Sequence, residues 1–468
     1  MFRTIFYKEI LENLTSRRFF IVLVLCLIII PLGTYVSTRD FQYRFNSYQG
    51  SLRQYEDSRK ELQDFIDKGE PEGFRPPSPL SFLSLGLEIV MPNVAETPRK
   101  GRPGLVDKKL DKMNLNSNQL LDNLYEFYHG PLDLVFIVSV IMTFFCILFT
   151  YGAIAGEKEQ GTLKYILCNS VPRYCIILAK MCSNFLALII PFLTAMILSF
   201  LLFQGNRFTL FGPNGTLPYI LLGVLFSLLL VGVFFNLGLL ISSLTKQAAS
   251  SIIILLFCWI LLYGIIPRLS VILSQIVYPI KSQQLINLEK NQIRLDNEKD
   301  FEIEINRLII AGKNSSINQQ AIRDEYWAKL ESQIQKMDRD IEKKQNTQLM
   351  IATNLARLSP VSCFIRPMSE ISHTGWLRYQ QFREEATRFQ KILNEQFYSK
   401  FEVFEKKGGG GYSNFRGDVN APAPRFTTSQ ISFNDIMRNI LPDLVLLVIY
   451  NFILFSAAFV GFLKYDAR

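Results

Sequence analysis

Two carboxylates set two residues apart, Glu157 and Glu159, lie in the run Gly156-Glu157-Lys158-Glu159-Gln160-Gly161-Thr162-Leu163, where an apolar span gives way to a short polar stretch. Carboxylates at a helix N-terminus are favoured by the macrodipole and can pair with basic groups of another molecule. Gly161 lets the chain turn sharply or lets a second surface approach closely. Leu163, Tyr165, Ile166, Leu167 and Cys168 follow, and Asn169-Ser170-Val171-Pro172 is a turn signal. The pattern predicts a short amphipathic helix parallel to a membrane surface. A helix of that size is marginal in water, so its apolar face needs a cover. Either a partner protein supplies it, or the segment is a membrane-surface cap with no partner. Acid–base catalysis by the pair is not expected, because no pocket-forming sequence surrounds it.

Other chemistries find little support. The chain has no Gly-x-x-x-x-Gly-Lys-Ser/Thr loop, and Gly408 to Gly411, read as a flexible tip, lacks both the Lys-Ser/Thr and a preceding buried strand. Nucleotide hydrolysis must therefore come from elsewhere. No Gly-x-Ser-x-Gly elbow or His-Glu-x-x-His helix is present. With His129 and His373 the only histidines, no Cys/His metal spacing exists. Six of the seven cysteines fall in apolar spans or in the short polar stretch; Cys363 alone lies in a long soluble segment, where no intrachain disulfide can form. Inside the spans, Asn184, Asn236 and Asn451 are candidates for hydrogen bonds between helices, with substrate contact as the alternative. Asp133 and Asp443 stand near span ends, each close to a proline, where hydration or a lysine can satisfy them.

These residues need a scaffold. The chain has 468 residues, 49% hydrophobic, with a formal net charge of +9, and these averages conceal two populations. Apolar runs of about 20 residues, long enough to cross a hydrocarbon core, alternate with stretches rich in Gln, Asn, Glu, Lys and Arg. The basic excess is spread over span flanks and helical loops with acidic residues interleaved, which argues against nucleic-acid binding.

The expected fold class is mainly α, a polytopic bundle of six transmembrane helices at 19–36, 132–151, 176–203, 217–244, 251–272 and 440–463. An interfacial helix at 1–18 leads into the first span, read as an uncleaved anchor because no small-residue cleavage site follows it. Basic residues cluster in the short loops of one side, and the loop at 204–216 carries only Arg207. The positive-inside rule then puts both termini and the 156–175 segment in the cytoplasm. It sends 38–130 and 274–438 to the other side. The first of these begins with a helical run from Phe41 to Lys68. The second is helix-compatible from about Lys281 to Leu358, broken at Gly312-Lys313-Asn314-Ser315-Ser316, which fits an antiparallel hairpin. Ordinary solvated charged helices without a ligand would read the same way.

The order of these features resembles the membrane subunit of ABC-2 type transporters. In that family the stretch from Gly156 to Leu163 looks like the coupling helix, which docks into a cleft of a separate nucleotide-binding subunit. The resemblance gives Glu157, Glu159, Gly161, Thr162, Leu163 and Tyr165 the role of contacting that ATPase, with ATP and Mg held in the partner and no cofactor or metal in this chain. It implies a second permease subunit, identical or related, in a bacterial inner membrane, and export or extraction of an amphiphilic or lipid-linked cargo. The alternative it leaves open is mechanotransmission, in which ATPase motion is relayed to a periplasmic partner without transport. Membrane lipids are the remaining expected partner. The runs Leu358-Ser359-Pro360-Val361-Ser362-Cys363-Phe364 and Glu370 to Phe382 look like the extracytoplasmic segment of a bacterial subgroup labelled as linked to multicopper enzyme maturation. Copper handling would want clusters of Met, His and Cys, and this segment offers only Met368, His373 and Cys363.

Overall fold

The structure, a computed structural model, describes residues 2–58, 72–88, 90–96, 132–167, 172–203, 215–310, 316–396, 401–406, 409–415 and 425–464. It is mainly helical, and among the described residues six helices are long and apolar enough to cross a membrane. Helix α1 (Phe2–Leu14) lies against the third span and leads into α2 (Arg17–Ser58). The apolar part of α2 ends near Val36, yet the helix runs on to Ser58. Arg39 and Arg44 favour helix, and the Asp40–Arg44 ion pair sits at i,i+4 spacing. Arg59 to Lys68, the rest of the expected helical run, falls outside the described residues.

The second span, α3 (134–150), opens on Asp133, whose carboxylate accepts from the Phe136 N–H as an N-cap. It widens to π-helical turns over Ile137–Met142. Two short helices follow, α4 (Ala155–Glu159) and α5 (Thr162–Leu167), then the spans α6 (Arg173–Phe203), α7 (Leu217–Leu244) and α8 (Ala248–Val277). The last span, α13 (Phe433–Leu463), starts about two turns before the expected boundary at 440, because Ser432 caps it.

Helices α3 and α7 are the most enclosed of the six, and α8 and α13 the least. The core runs along α7, where Leu230, Val231, Val233, Phe234 and Phe235 are buried against α3 and α13. Close approach is secured by small residues, as is usual where helices pack within a bilayer. A Cβ on Gly238 would lie 2.6 Å from the Thr150 Cβ of α3, and one on Gly232 would lie 2.6 Å from the Asn451 Oδ1 of α13.

Beyond the end of the bundle opposite α4 lies a second layer. The long helices α9 (Gln283–Ile310) and α10 (Ser316–Ala356) run antiparallel, since Lys290 pairs with Asp338 while Asp300 pairs with Lys329. Asn297 also donates to the Gln333 side chain across the pair. The segment Gly312 to Ser315 is outside the described residues. Helices α11 (Ser362–Ile371) and α12 (Trp376–Gln396) follow, and α11 packs its apolar face on α7 and α13. Strands β1 (Glu72–Phe74) and β2 (Val94–Glu96) pair antiparallel, as do β3 (Phe401–Lys406) and β4 (Gly409–Phe415). The expected flexible glycine tip is corrected here: Gly409, Gly410 and Gly411 lie in β4, opposite Lys406, Glu405 and Phe404, because glycine does not prevent a strand that a neighbouring strand holds in register.

Candidate functional site

The expected single amphipathic helix at 156–175 is instead two short helices at a sharp turn; Cys168 to Val171 lie outside the described residues. Helix α4 ends because Gly161 takes a left-handed backbone, φ 73°, while the Gly161 N–H still donates to the Lys158 carbonyl. Only glycine takes that conformation freely, so the bend is written into the sequence at one position.

The segment is tied to the bundle on three sides. Lys180, a buried cation on α6, donates to Glu157 at 2.6 Å and to Glu9 of α1 at 2.8 Å. Ser242 of α7 accepts from the N–H groups of Ile154 and Ala155 and donates to the Tyr151 carbonyl, which closes the backbone between α3 and α4. Lys158 donates to the carbonyls of Ser243 and Thr245. Those carbonyls end α7, where cationic groups are favoured. Glu159 accepts from the Ala248 N–H, the first residue of α8. One five-residue helix thus touches the ends of α6, α7 and α8 and reaches α1 through Lys180.

This geometry separates the six residues expected at a partner surface. Leu163 is fully buried in the bundle core and Glu157 is engaged by Lys180, so both hold the segment in place. Within this chain Glu157 answers a lysine buried in an apolar helix, which needs a carboxylate more than a solvated surface does, and Leu163 answers the core. Gly161 supplies the bend. Glu159, Thr162 and Tyr165 are exposed, and the Tyr165 ring stands at the surface, 78% accessible.

Lys180 and Glu9 carry no signature of their own as a coupling pair. A lone lysine inside a 31-residue apolar helix is the signal that could have found them, since a buried charge in a span implies a partner. Asn184 accepts from Asn13 of α1 at 2.6 Å, which pins the N-terminal helix a second time. Asn236 donates to Asn451, and Asn451 in turn donates to the carbonyls of Leu229 and Leu447, joining α7 to α13. Arg18 hydrogen-bonds the Tyr151 hydroxyl and lies 5.0 Å from its ring centroid.

The opposite end of the bundle carries its own polar connection. Asp443 on α13 is buried and ion-paired with Arg357, at 2.8 Å, and with Arg366 of α11. Asp133 accepts from the backbone of Leu85. Backbone groups and arginines, rather than hydration or lysine, satisfy these two carboxylates. Glu370 caps α12 by accepting from the N–H groups of Trp376 and Leu377, and burial pushes its carboxyl above the usual range. His373, at φ 56°, packs edge-on against Tyr219 of α7; burial, with Arg378 adding to it, lowers its pKa to about 4. Among the described residues no cluster of three His, Cys, Asp or Glu side chains could hold a metal ion.

A bundle of six apolar helices, carrying one short polar segment stapled to the ends of four others, defines a polytopic membrane subunit. Residues 3–467 match the family model described as ABC-2 family transporter protein, and the chain belongs to that family. It is a transmembrane subunit of an ABC transporter, which implies ABC ATPase partners, with ATP and Mg acting there, and dimerisation. No curated protein matches the sequence.

Proposed function

We propose that the segment 155–167 receives the motion of a cytoplasmic ATPase and passes it into the bundle, driving export or extraction of an amphiphilic or lipid-linked cargo across a bacterial inner membrane. The observation that carries this reading is the fastening of α4 to α1, α6, α7 and α8 at once, with Glu159, Thr162 and Tyr165 left exposed beside it. A push on that exposed edge reaches four helices without any one of them bending. In this reading both termini are cytoplasmic, and the layer formed by the described residues of 72–96 and 278–431 is periplasmic. Closure of the ATPase pair would tilt α3 and α6, and α11, tied to α13 through Asp443, would carry the movement outward.

The apolar character of the spans favours an amphiphilic cargo over a hydrophilic one. Mechanotransmission is the second reading, favoured by the α9–α10 pair: α10 has 41 residues and so extends about 60 Å. It also packs against the second half of α8. The likeness to the multicopper-maturation subgroup adds no metal chemistry to either reading.

The test is to purify the chain with the ATPase encoded beside it and reconstitute the complex. Tyr165→Ala should weaken ATPase association or its coupling while leaving thermal stability within a few degrees of the parent. Glu159→Lys should weaken coupling further, because it also removes the acceptor of the Ala248 N–H that ties α4 to α8. Absence of any co-purifying ATPase, with unchanged behaviour of both variants, would overturn the coupling role. ATP-dependent movement of lipid or peptide cargo in vesicles separates transport from mechanotransmission.

A further inference from the structure

Between α2, α6 and α7, at the end of the bundle away from α4, lies a cavity of about 240 Å³. Ile30, Thr34 and Thr38 of α2 form one wall, Leu193, Met196 and Phe200 of α6 a second, and Ile220 and Val224 of α7 a third. Phe82 and Leu83, which close the 3-10 turn Pro79–Phe82, lie over it, so the second layer forms its roof. On α6 the lining continues through Ile197 and Leu201, which are 60% and 65% exposed, and the cavity therefore opens sideways on the face of the span that meets hydrocarbon.

The lining contains hydroxyls, but they do not make it polar. Thr34 donates to the Ile30 carbonyl, Thr38 to the Thr34 carbonyl and Ser199 to the Ala195 carbonyl, so these three donors are spent on their own helices. Those three donors are not available to a polar ligand, and apart from Thr216 the rest of the lining is apolar. Left empty, the cavity would cost its walls the dispersion contacts that close packing supplies. An apolar face this exposed meets lipid in a membrane wherever the second subunit does not cover it.

We infer that this cavity holds one acyl chain of a membrane lipid, bound by the single chain and apart from any cavity between two subunits. At about 30 Å³, the share of liquid volume of one water, the cavity takes roughly eight water-sized units, comparable to the distal half of a common acyl chain. Entering from the bilayer gains no hydrophobic energy, since the chain leaves one hydrocarbon phase for another; retention comes from filling a shaped void. The inference rests on the membrane placement of α2, α6 and α7, and not on ATP coupling, so it stands or falls separately from the transport reading.

The experiment reconstitutes the full chain in nanodiscs containing a phosphatidylethanolamine with a diazirine near the tip of one acyl chain, followed by photolysis and peptide mapping. Labelling should concentrate on residues 30–38, 193–201 and 216–224, survive dilution into unlabelled lipid longer than labelling elsewhere, and occur with no ATPase present. Met196→Trp fills the void and should reduce labelling there at least fivefold, and Ile220→Trp does so from a different wall. Phe257→Trp, on the exposed face of α8, should leave it unchanged. Labelling spread evenly over all lipid-facing helices, or a cavity signal that neither folded tryptophan variant diminishes, would overturn the inference.

Discussion

Lys180 donates to Glu157 at 2.6 Å, joining α6 to the segment that leaves α3. The same ammonium reaches Glu9 of α1, so one cation neutralises two carboxylates from separate elements. The side chain of Lys180 is only 5% exposed. Removing it leaves Glu9 and Glu157 facing each other in a partly buried site, and loss of one member of such a group costs about 3–5 kcal/mol. Lys180→Met should therefore lower the thermal midpoint in detergent by several degrees, and Lys180→Met with Glu157→Gln should recover part of the loss. A single variant as stable as the parent would mean the three charges are independently solvated.

Much of the architecture is legible in the sequence because apolar runs of about 20 residues have few alternatives to spanning a bilayer. The break between α9 and α10 is legible for the same kind of reason, since a Gly-Lys-Asn-Ser-Ser run cannot sustain a charged helix. The site is legible only in part. Glu157 and Glu159 stand out as carboxylates, but whether a carboxylate faces inward or outward depends on what α6 and α8 present to it, and Lys180 lies 23 residues away. Leu163 reads as one face of an amphipathic helix, and the bend at Gly161 turns it into the core. The roof built by Phe82 and Leu83 has no sequence signature, because nothing local pairs residues 78–87 with 369–374 through Ser78, Ser84 and Thr374.

The bend itself can be tested at one residue. A Cβ at Gly161 would meet no atom within 4 Å, so its substitution tests backbone conformation alone. Holding an L-residue in the left-handed region costs about 1–2 kcal/mol, less for asparagine. Gly161→Ala should loosen 155–167, read as faster amide exchange there with little change in the bundle, and Gly161→Asn should be intermediate. Equal exchange in all three proteins would show that the turn does not depend on its left-handed residue.

The two close glycines of α7 should differ in tolerance. At Gly238 the obstacle is Thr150 near its own backbone, and α3 and α7 must separate to admit a methyl group. At Gly232 the obstacle is the amide end of Asn451, which can rotate away while giving up hydrogen bonds to Asn236 and Leu229. Overpacking of a tight contact costs about 1–3 kcal/mol. Thermal unfolding should rank Gly238→Ala below Gly232→Ala, and the reverse order would place the tighter contact at α7–α13.

The layer over the bundle should be sensitive to acid through His373. Its folded pKa is about 4 against an ordinary value of 6.5, because burial and the nearby Arg378 disfavour the imidazolium. The unfolded chain therefore takes up this proton first on acidification. Stability from the neutral ring is complete above about pH 6.5 and is lost as the pH falls toward about 4. At about 1.4 kcal/mol per unit over the fall from 6.5 to about 4, the swing is on the order of 3 kcal/mol. Glu370, whose carboxyl is shifted upward by burial, works in the opposite direction, so the total pH profile does not isolate the histidine. A difference between two proteins does. Asparagine tolerates the left-handed backbone at φ 56° and does not titrate, so His373→Asn is the comparison. The gap in thermal midpoint between wild type and His373→Asn should move in favour of the variant as the pH drops from 7 to 4, while the Glu370 contribution cancels. A gap that stays constant across that range would mean that His373 is hydrated in the folded protein, and that its contact with Tyr219 does not exclude water.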